Sequence, residues 1–377
     1  MKKLFVLFVS VLINASFYAH AQSSEPFTTY RFGAAVASTI NAVEASSING
    51  SITVTGANVS EAVVEMYVSP TNQNNWRPGL FASRSRQNNN WSVENIKQEL
   101  DENYTIEVNV RNGTLYAVAR PKNRNRHTLG ISFRISVPKN VNNNLQTTNG
   151  SIQISNLSGS QNLRTTNGSL RVENVTGKIS GTTTNGSVTV TNSNDYINLR
   201  TSNGSVTARN CSGEITLRTS NGRMNISDLN GVISATTSNG SVDMSNISGV
   251  ISATTSNAAV TLSNITGHLK IGTSNGAVRL DDVSGSVDAR TSNGSMTVTM
   301  KSASDYVKLS TSRGNVSLTL PADRGYDLNV RADNISTSGM RNFRGTTERR
   351  SLNGTMANGG ARIDVSASGG RANLSFN

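Results

Sequence analysis

The sequence predicts an all-β protein, a parallel β-solenoid (β-helix) with 18-residue two-strand coils and irregular β caps. Three observations predict it. Turn glycines recur every 18 residues, at Gly150, Gly168, Gly186, Gly204, Gly222, Gly240, Gly276 and Gly294, with Ala258 at the remaining place. Between turns, apolar and polar residues alternate, as in Ile152 and Ile154 or Val188 and Val190, the period of a strand with one buried face. Polar residues also match their counterparts 18 places on, as in Asn167, Asn185, Asn203 and Asn221. Asn-Gly between alternating strands also suits an antiparallel hairpin. A meander would not explain residue-for-residue identity at a fixed interval, whereas parallel stacking puts identical residues above one another and lets Asn side chains bond along the column.

Residues 1–21 have the form of a secretory signal peptide: Lys2 and Lys3, an apolar run from Leu4 to Ile13, and Ala19-His20-Ala21 as a small-x-small cleavage site. No later stretch approaches the roughly 20 apolar residues needed to span a bilayer as a helix. The expected location is therefore outside the cytoplasm: periplasm, cell surface or medium. Residues 22–145 lack the strict period but contain strand-like runs at Ser51–Val54, Ala62–Val68, Tyr104–Val110, Leu115–Ala119 and Ile131–Val137. They are expected to form an N-terminal cap and the first coils, with a long polar loop from Ser69 to Asn90 that carries Trp76 and ends beside Trp91.

Residues 146–320 are the regular solenoid. Its first strand buries pairs such as Leu170 and Val172, and its second buries Ile197 and Leu199 or Ile215 and Leu217. Gly181, Ala253 and Ala289 at the second of these places imply a thin core. Thr165, Thr183, Thr201, Thr219, Thr237, Thr255, Thr273, Thr291 and Thr311 form an internal column beside the turn. A second turn is expected at Gly159, Gly177, Asp195, Gly213, Gly231, Gly249, Gly267 and Gly285, preceded by a ladder from Asn156 to Asp282. Cys211, the sole cysteine, falls in an apolar column and reads as a small buried hydrophobe. The coil from Gly294 to Gly314 is 20 residues long, and matching Asp305-Tyr306 to Asp195-Tyr196 puts the two extra residues near Lys301 and Ser302. Ala258 stands where a positive-φ glycine is expected, which implies a different turn or local strain. Residues 321–377 are expected to form an irregular C-terminal β segment and cap, strand-like at Ala361–Val365 and Ala372–Phe376, with Arg341, Arg344, Arg349 and Arg350 on a mobile basic loop.

The chemistry of these columns excludes more than it selects. The formal charge is +12, two units of it from the leader lysines. Such a chain attracts polyanions. His127 and His268, the only histidines beyond the leader, have no Cys, His or carboxylate partners at metal-ligand spacing, and the turns lack the Gly-Gly-x-Gly-x-Asp pattern of calcium-binding β-rolls. Glu173, Asp195, Glu214, Asp243 and Asp288 fall in different columns, so no paired carboxylates for glycoside cleavage are expected. No catalytic residue, cofactor or metal is assigned. Arg164, Arg200, Arg218 and Arg290 share one outward column, an anionic-ligand face or a solubilising stripe on a β-rich surface. They also interrupt the Ser/Thr surface that an ice-binding face would need. The expected partners are surface polysaccharide or another envelope protein, with no nucleic acid.

The leader, the segment Ile48-Asn49-Gly50-Ser51-Ile52-Thr53-Val54, the lead-in Val137-Pro138-Lys139 and the run Thr147-Thr148-Asn149-Gly150-Ser151-Ile152 together resemble the bacterial adhesin family of β-strand repeat proteins, a domain of unknown function. The resemblance covers nearly all of the chain beyond the leader and carries no catalytic motif. It implies a non-enzymatic cell-envelope or secreted solenoid that acts as an adhesin or surface scaffold. A carbohydrate-binding or carbohydrate-cleaving β-helix is the alternative.

Overall fold

A computed structural model describes residues 25–71, 91–123 and 128–377. The leader, Trp76 with most of the expected 69–90 loop, and His127 lie outside the described residues.

The chain begins with β1 (Thr28–Phe32), a short α1 (Ala34–Ala37), β2 (Ala42–Ser46), β3 (Ile52–Ala57) and β4 (Ala62–Pro70). Then come α2 (Val93–Asn103), β5 (Tyr104–Arg111), β6 (Thr114–Pro121) and β7 (Leu129–Pro138). The coils follow as β8 (Asn142–Gln146), β9 (Ile152–Ser158), β10 (Gln161–Arg164), β11 (Leu170–Thr182), β12 (Val188–Thr191) and β13 (Asn194–Arg200). They continue as β14 (Val206–Arg218), β15 (Met224–Thr236), β16 (Val242–Thr254), β17 (Val260–Gly272), β18 (Val278–Thr291), β19 (Met296–Thr311) and β20 (Val316–Leu320). The chain closes with β21 (Tyr326–Ser338), β22 (Phe343–Thr347), β23 (Ser351–Met356) and β24 (Ala361–Phe376).

Successive coils pair in parallel and in register at the 18-residue offset, for example Ile215↔Ile233 and Ile233↔Ile251. The structure is thus a β-solenoid. The expected second turn does not break the ladder. In β15 the chain bends twice while still paired, at Asp228 in the left-handed region (φ 59°) and at Gly231 (φ 133°), leaving Leu229 and Asn230 as a short edge between two broad faces. Met224, Ile226, Leu229, Ile233 and Ala235 point inward. Stacking such rungs about 4.8 Å apart gives a rod on the order of 60 Å from β6 to β21.

The turn is fastened by side chains. Thr201 Oγ1 donates to the Gly186 carbonyl of the preceding turn (2.8 Å) and accepts from the Gly204 N–H of its own (3.2 Å). The same pair of bonds recurs at Thr165, Thr183, Thr219 and Thr237. Outside it, Asn167 Nδ2 donates to Asn149 Oδ1 (2.6 Å), and the ladder continues to Asn293, whose Oδ1 accepts from Arg313.

Glycine at these turns answers to packing, contrary to the expectation of positive φ. A Cβ on Gly222 would collide with the Gly204 carbonyl directly below, and none of the glycines from Gly150 to Gly294 in this column has positive φ. Ala258 carries that Cβ. Among the described residues, the turn N–H to threonine bond made at Gly240 and Gly276 is missing there.

Three further expectations are corrected. The long coil keeps Gly285↔Ala303 and then jumps to Val287↔Val307, so its extra residues sit at the second corner around Ser304 and Asp305, where Asp305 Oδ2 accepts from buried Ser286. Arg344 lies in β22, Arg341 precedes it, and Arg349 and Arg350 sit in the turn to β23, so the basic segment is an antiparallel hairpin joined to β21 through β23. Ser69 and Pro70 belong to β4 instead of opening a loop.

Both ends of the rod are built out of sequence order. β2 lies between β6 and β8, and β3 between β7 and β9, so the Ile48–Val54 segment is a rung whose Asn49 accepts from Asn149. At the other end β24 lies between β19–β20 on one side and β21 on the other. The terminal rungs are made by internal segments and are covered by antiparallel strands: β4 and β1 beside β7, β5 beside β6, and β23 beside β21. These strands pair the ends of the regular ladder, so the outermost edges become the short antiparallel strands β1, β5 and β22 in place of a full parallel rung.

Candidate functional site

One broad face of the coil runs from the second corner to the turn, so its outward residues occupy three columns. In β14 these are Glu214, Thr216 and Arg218, alternating with buried Ile215 and Leu217. Pairing register extends each column along the rod. Arg200 and Arg218 are direct neighbours, one rung apart, and both are exposed. Arg164 is separated from Arg200 by Thr182. Arg290 stands beyond Thr236, Thr254 and Gly272, and its guanidinium is engaged by Asp288, with Nε to Oδ1 and Nη2 to Oδ2 both 3.1 Å. The structure therefore brings together two of the four column arginines, leaves a third near them, and neutralises the fourth.

The same face holds residues that the single column missed. Lys178, Tyr196 and Glu214 succeed one another in the column next to the corner, and Lys178 Nζ lies 5.8 Å from the Tyr196 ring centroid. Lys270 and Lys308 are exposed in the middle column, and Tyr306 is an exposed aromatic farther along. Across the regular coils this face carries Arg164, Lys178, Arg200, Arg218, Lys270, Arg290 and Lys308 against Glu214 and Asp288. The opposite face is closer to balance, with Arg171, Arg209, Arg223 and Arg279 against Glu173, Asp243 and Asp281, and Arg223 is paired with Asp243 at 2.9 Å. Strand alternation alone puts Lys178, Tyr196 and Lys270 on the arginine side. Reading columns one at a time hid the face.

Between its two cationic stretches the face is neutral, with exposed Val232 and Val250 beside Ser234, Ser252, Thr236 and Thr254. Cys211 is buried, which pushes its thiol pKa up and leaves it protonated. Asp228 accepts from the Asn246 amide in the corner ladder, which holds its carboxyl below the usual range. Among the described residues no group of three or more His, Cys, Asp or Glu side chains is placed to hold a metal ion, and no helix is long and apolar enough to cross a membrane. The cleft between Ser47–Asn49 and Tyr104, Leu129 and Ile131 has room for about one water.

Fold and face define a class: a parallel β-solenoid with two broad outward faces, one of them rich in cations. Residues 207–375, from β14 to β24, match the family model described as Toastrack DUF4097, a family of unknown function. This agrees with the resemblance to a β-strand repeat family. The N-terminal coils and cap lie outside the matched region. Among curated proteins none matches the chain. Among solved structures, a crystal structure of a "putative cell adhesion protein" from Clostridium sporogenes aligns at 8% identity over 93% of this chain and 98% of that one, with a TM-score of 0.17. That overlap is too loose to bear on fold or role.

Proposed function

We propose that the protein is a non-enzymatic, exported cell-envelope or secreted solenoid that serves as an adhesin or surface scaffold by presenting its basic broad face. The charge asymmetry between the two faces of one rigid ladder carries this reading. A face that served only solubility would need no such bias, and cations spread along a stiff surface favour an extended anionic partner. The dispersal of Glu173, Asp195, Glu214, Asp243 and Asp288 over separate columns supports a role without catalysis. Protease shaving and antibody labelling of intact source cells test the location: labelling without lysis is expected, and a protein reached only after cell lysis overturns display. Reducing ends released from polysaccharide by the purified protein would overturn the non-enzymatic reading.

A further inference from the structure

Resting on that reading, we infer that the stretch of the basic face around Arg200 and Arg218 is a binding site for a carboxylate-bearing polysaccharide, a uronic-acid polymer. The geometry comes from the protein's own ion pairs. Arg290 is forked onto Asp288, and Arg362 onto Asp364 (Nε to Oδ2 2.8 Å), each a carboxylate two residues away on the same face. The residues two before Arg200 and Arg218 are Asn198 and Thr216. Among the described residues neither arginine has a carboxylate partner, so two guanidinium forks stand open one rung apart. A planar fork is matched by a carboxylate through two parallel hydrogen bonds.

The surroundings select a sugar as the bearer of those carboxylates. Tyr196 is half-buried and fixed beside Lys178, and its ring offers an apolar face with a polar tip of the kind that stacks on pyranose C–H groups. Asn198, Thr216, Ser180 and Thr182 supply short donors and acceptors between the cations, all on rungs about 4.8 Å apart. Because register is fixed along the ladder, the face repeats in the direction a linear polymer would lie. Double-stranded DNA would be drawn by charge alone and finds no groove-reading element here, which makes it the control.

The test uses the full chain without its leader and measures binding to polygalacturonate, neutral dextran and duplex DNA by calorimetry. Polygalacturonate is expected to bind and dextran to fail. The R200A/R218A double variant should lose about tenfold or more in affinity, the scale of one to two charge-assisted hydrogen bonds. R171A/R209A removes the same charge from the opposite face and should change affinity by less than about twofold, the effect of diffuse screening alone. Asp288→Asn releases the fork of Arg290 and should tighten binding, a gain that misfolding cannot imitate. Equal losses in the two double variants, no binding of polygalacturonate, or DNA binding as tightly with the same dependence on Arg200 and Arg218 would each overturn the assignment. A surface-exposed protein that fails to bind polygalacturonate loses this ligand and keeps the display reading, whereas binding by a protein confined to the cytoplasm does the reverse.

Discussion

Replacing Thr201 by valine isolates what the threonine column contributes. Thr201 is fully buried, donates to the Gly186 carbonyl at 2.8 Å and accepts from the Gly204 N–H at 3.2 Å. Valine keeps the shape and removes both bonds, leaving a buried C=O and a buried N–H without this partner. An unsatisfied buried group costs about 1–3 kcal/mol, so the pair should cost about 2–6 kcal/mol. Serine at the same place keeps the hydroxyl and loses one methyl, worth about 1 kcal/mol. Urea unfolding gives the global values. Hydrogen exchange over the peptide that contains Gly204 gives the local one, where a loss of about 2–6 kcal/mol appears as exchange faster by about thirtyfold to ten-thousandfold. If T201V costs no more than T201S, the hydroxyl contributes nothing net and the column is only a packing feature.

The core, the corners and the C-terminal cap each give a further outcome. Asn143 and Gln161 occupy inward places that are isoleucine in the next five coils; their amides are bonded at 2.5 Å, and Asn143 Oδ1 is buried without a partner. The double change Asn143→Leu with Gln161→Ile should raise the unfolding free energy by about 1–3 kcal/mol, whereas Gln161→Ile alone should lower it. Gly231→Ala should destabilise strongly, since φ is 133° and its Cβ would meet the Gly213 carbonyl, while Gly272→Ala, with only a Thr254 methyl at 3.4 Å, should stabilise by about 0.4–1 kcal/mol. Thermal unfolding of the two variants side by side checks that contrast. Burial pushes the Tyr326 phenol up to about 12, and its OH donates to the Pro321 carbonyl at 2.9 Å. The unfolded phenol loses its proton near pH 10, so between pH 10 and 12 the folded state holds more protons and stability falls as pH rises. Urea midpoints at pH 9 and 11 should diverge in the native chain and diverge less in Tyr326→Phe.

The coil was legible because every force that shapes it is periodic. Asn203 announces its partner 18 residues away, Thr201 recurs at the same interval, and Ile215 names the face it buries. Some of what the sequence hid was hidden by distance: Ile52 pairs with Ile152 and Phe133, at separations that match no repeat, and β24 docks against β21 through one too. The helix α2 carries a local signal, Ser92 as a capping residue that accepts from the Asn95 N–H ahead of Ile96 and Leu100 at helical spacing. At the site, Arg200 and Arg218 were legible as a column. Their open forks were not, because engagement is a matter of side-chain geometry: Asp288 stands two places before Arg290 in the sequence, and only the structure shows its carboxylate on the guanidinium.

The interleaved ends change how such a rod carries load. In a simple stack the last rung has one neighbour, and a pull on the terminus peels it away bond by bond. Here β24, the last strand of the chain, is gripped along both edges, by β19 and β20 on one side and β21 on the other. Tension applied at Asn377 must draw that strand out between two ladders, loading many hydrogen bonds together in shear. β2 and β3 are held in the same way once β1 has been stripped from β4. β24 is spliced between two ladders, and the force needed to extract it should exceed that needed to peel the terminal rung of a simple stack with the same number of coils.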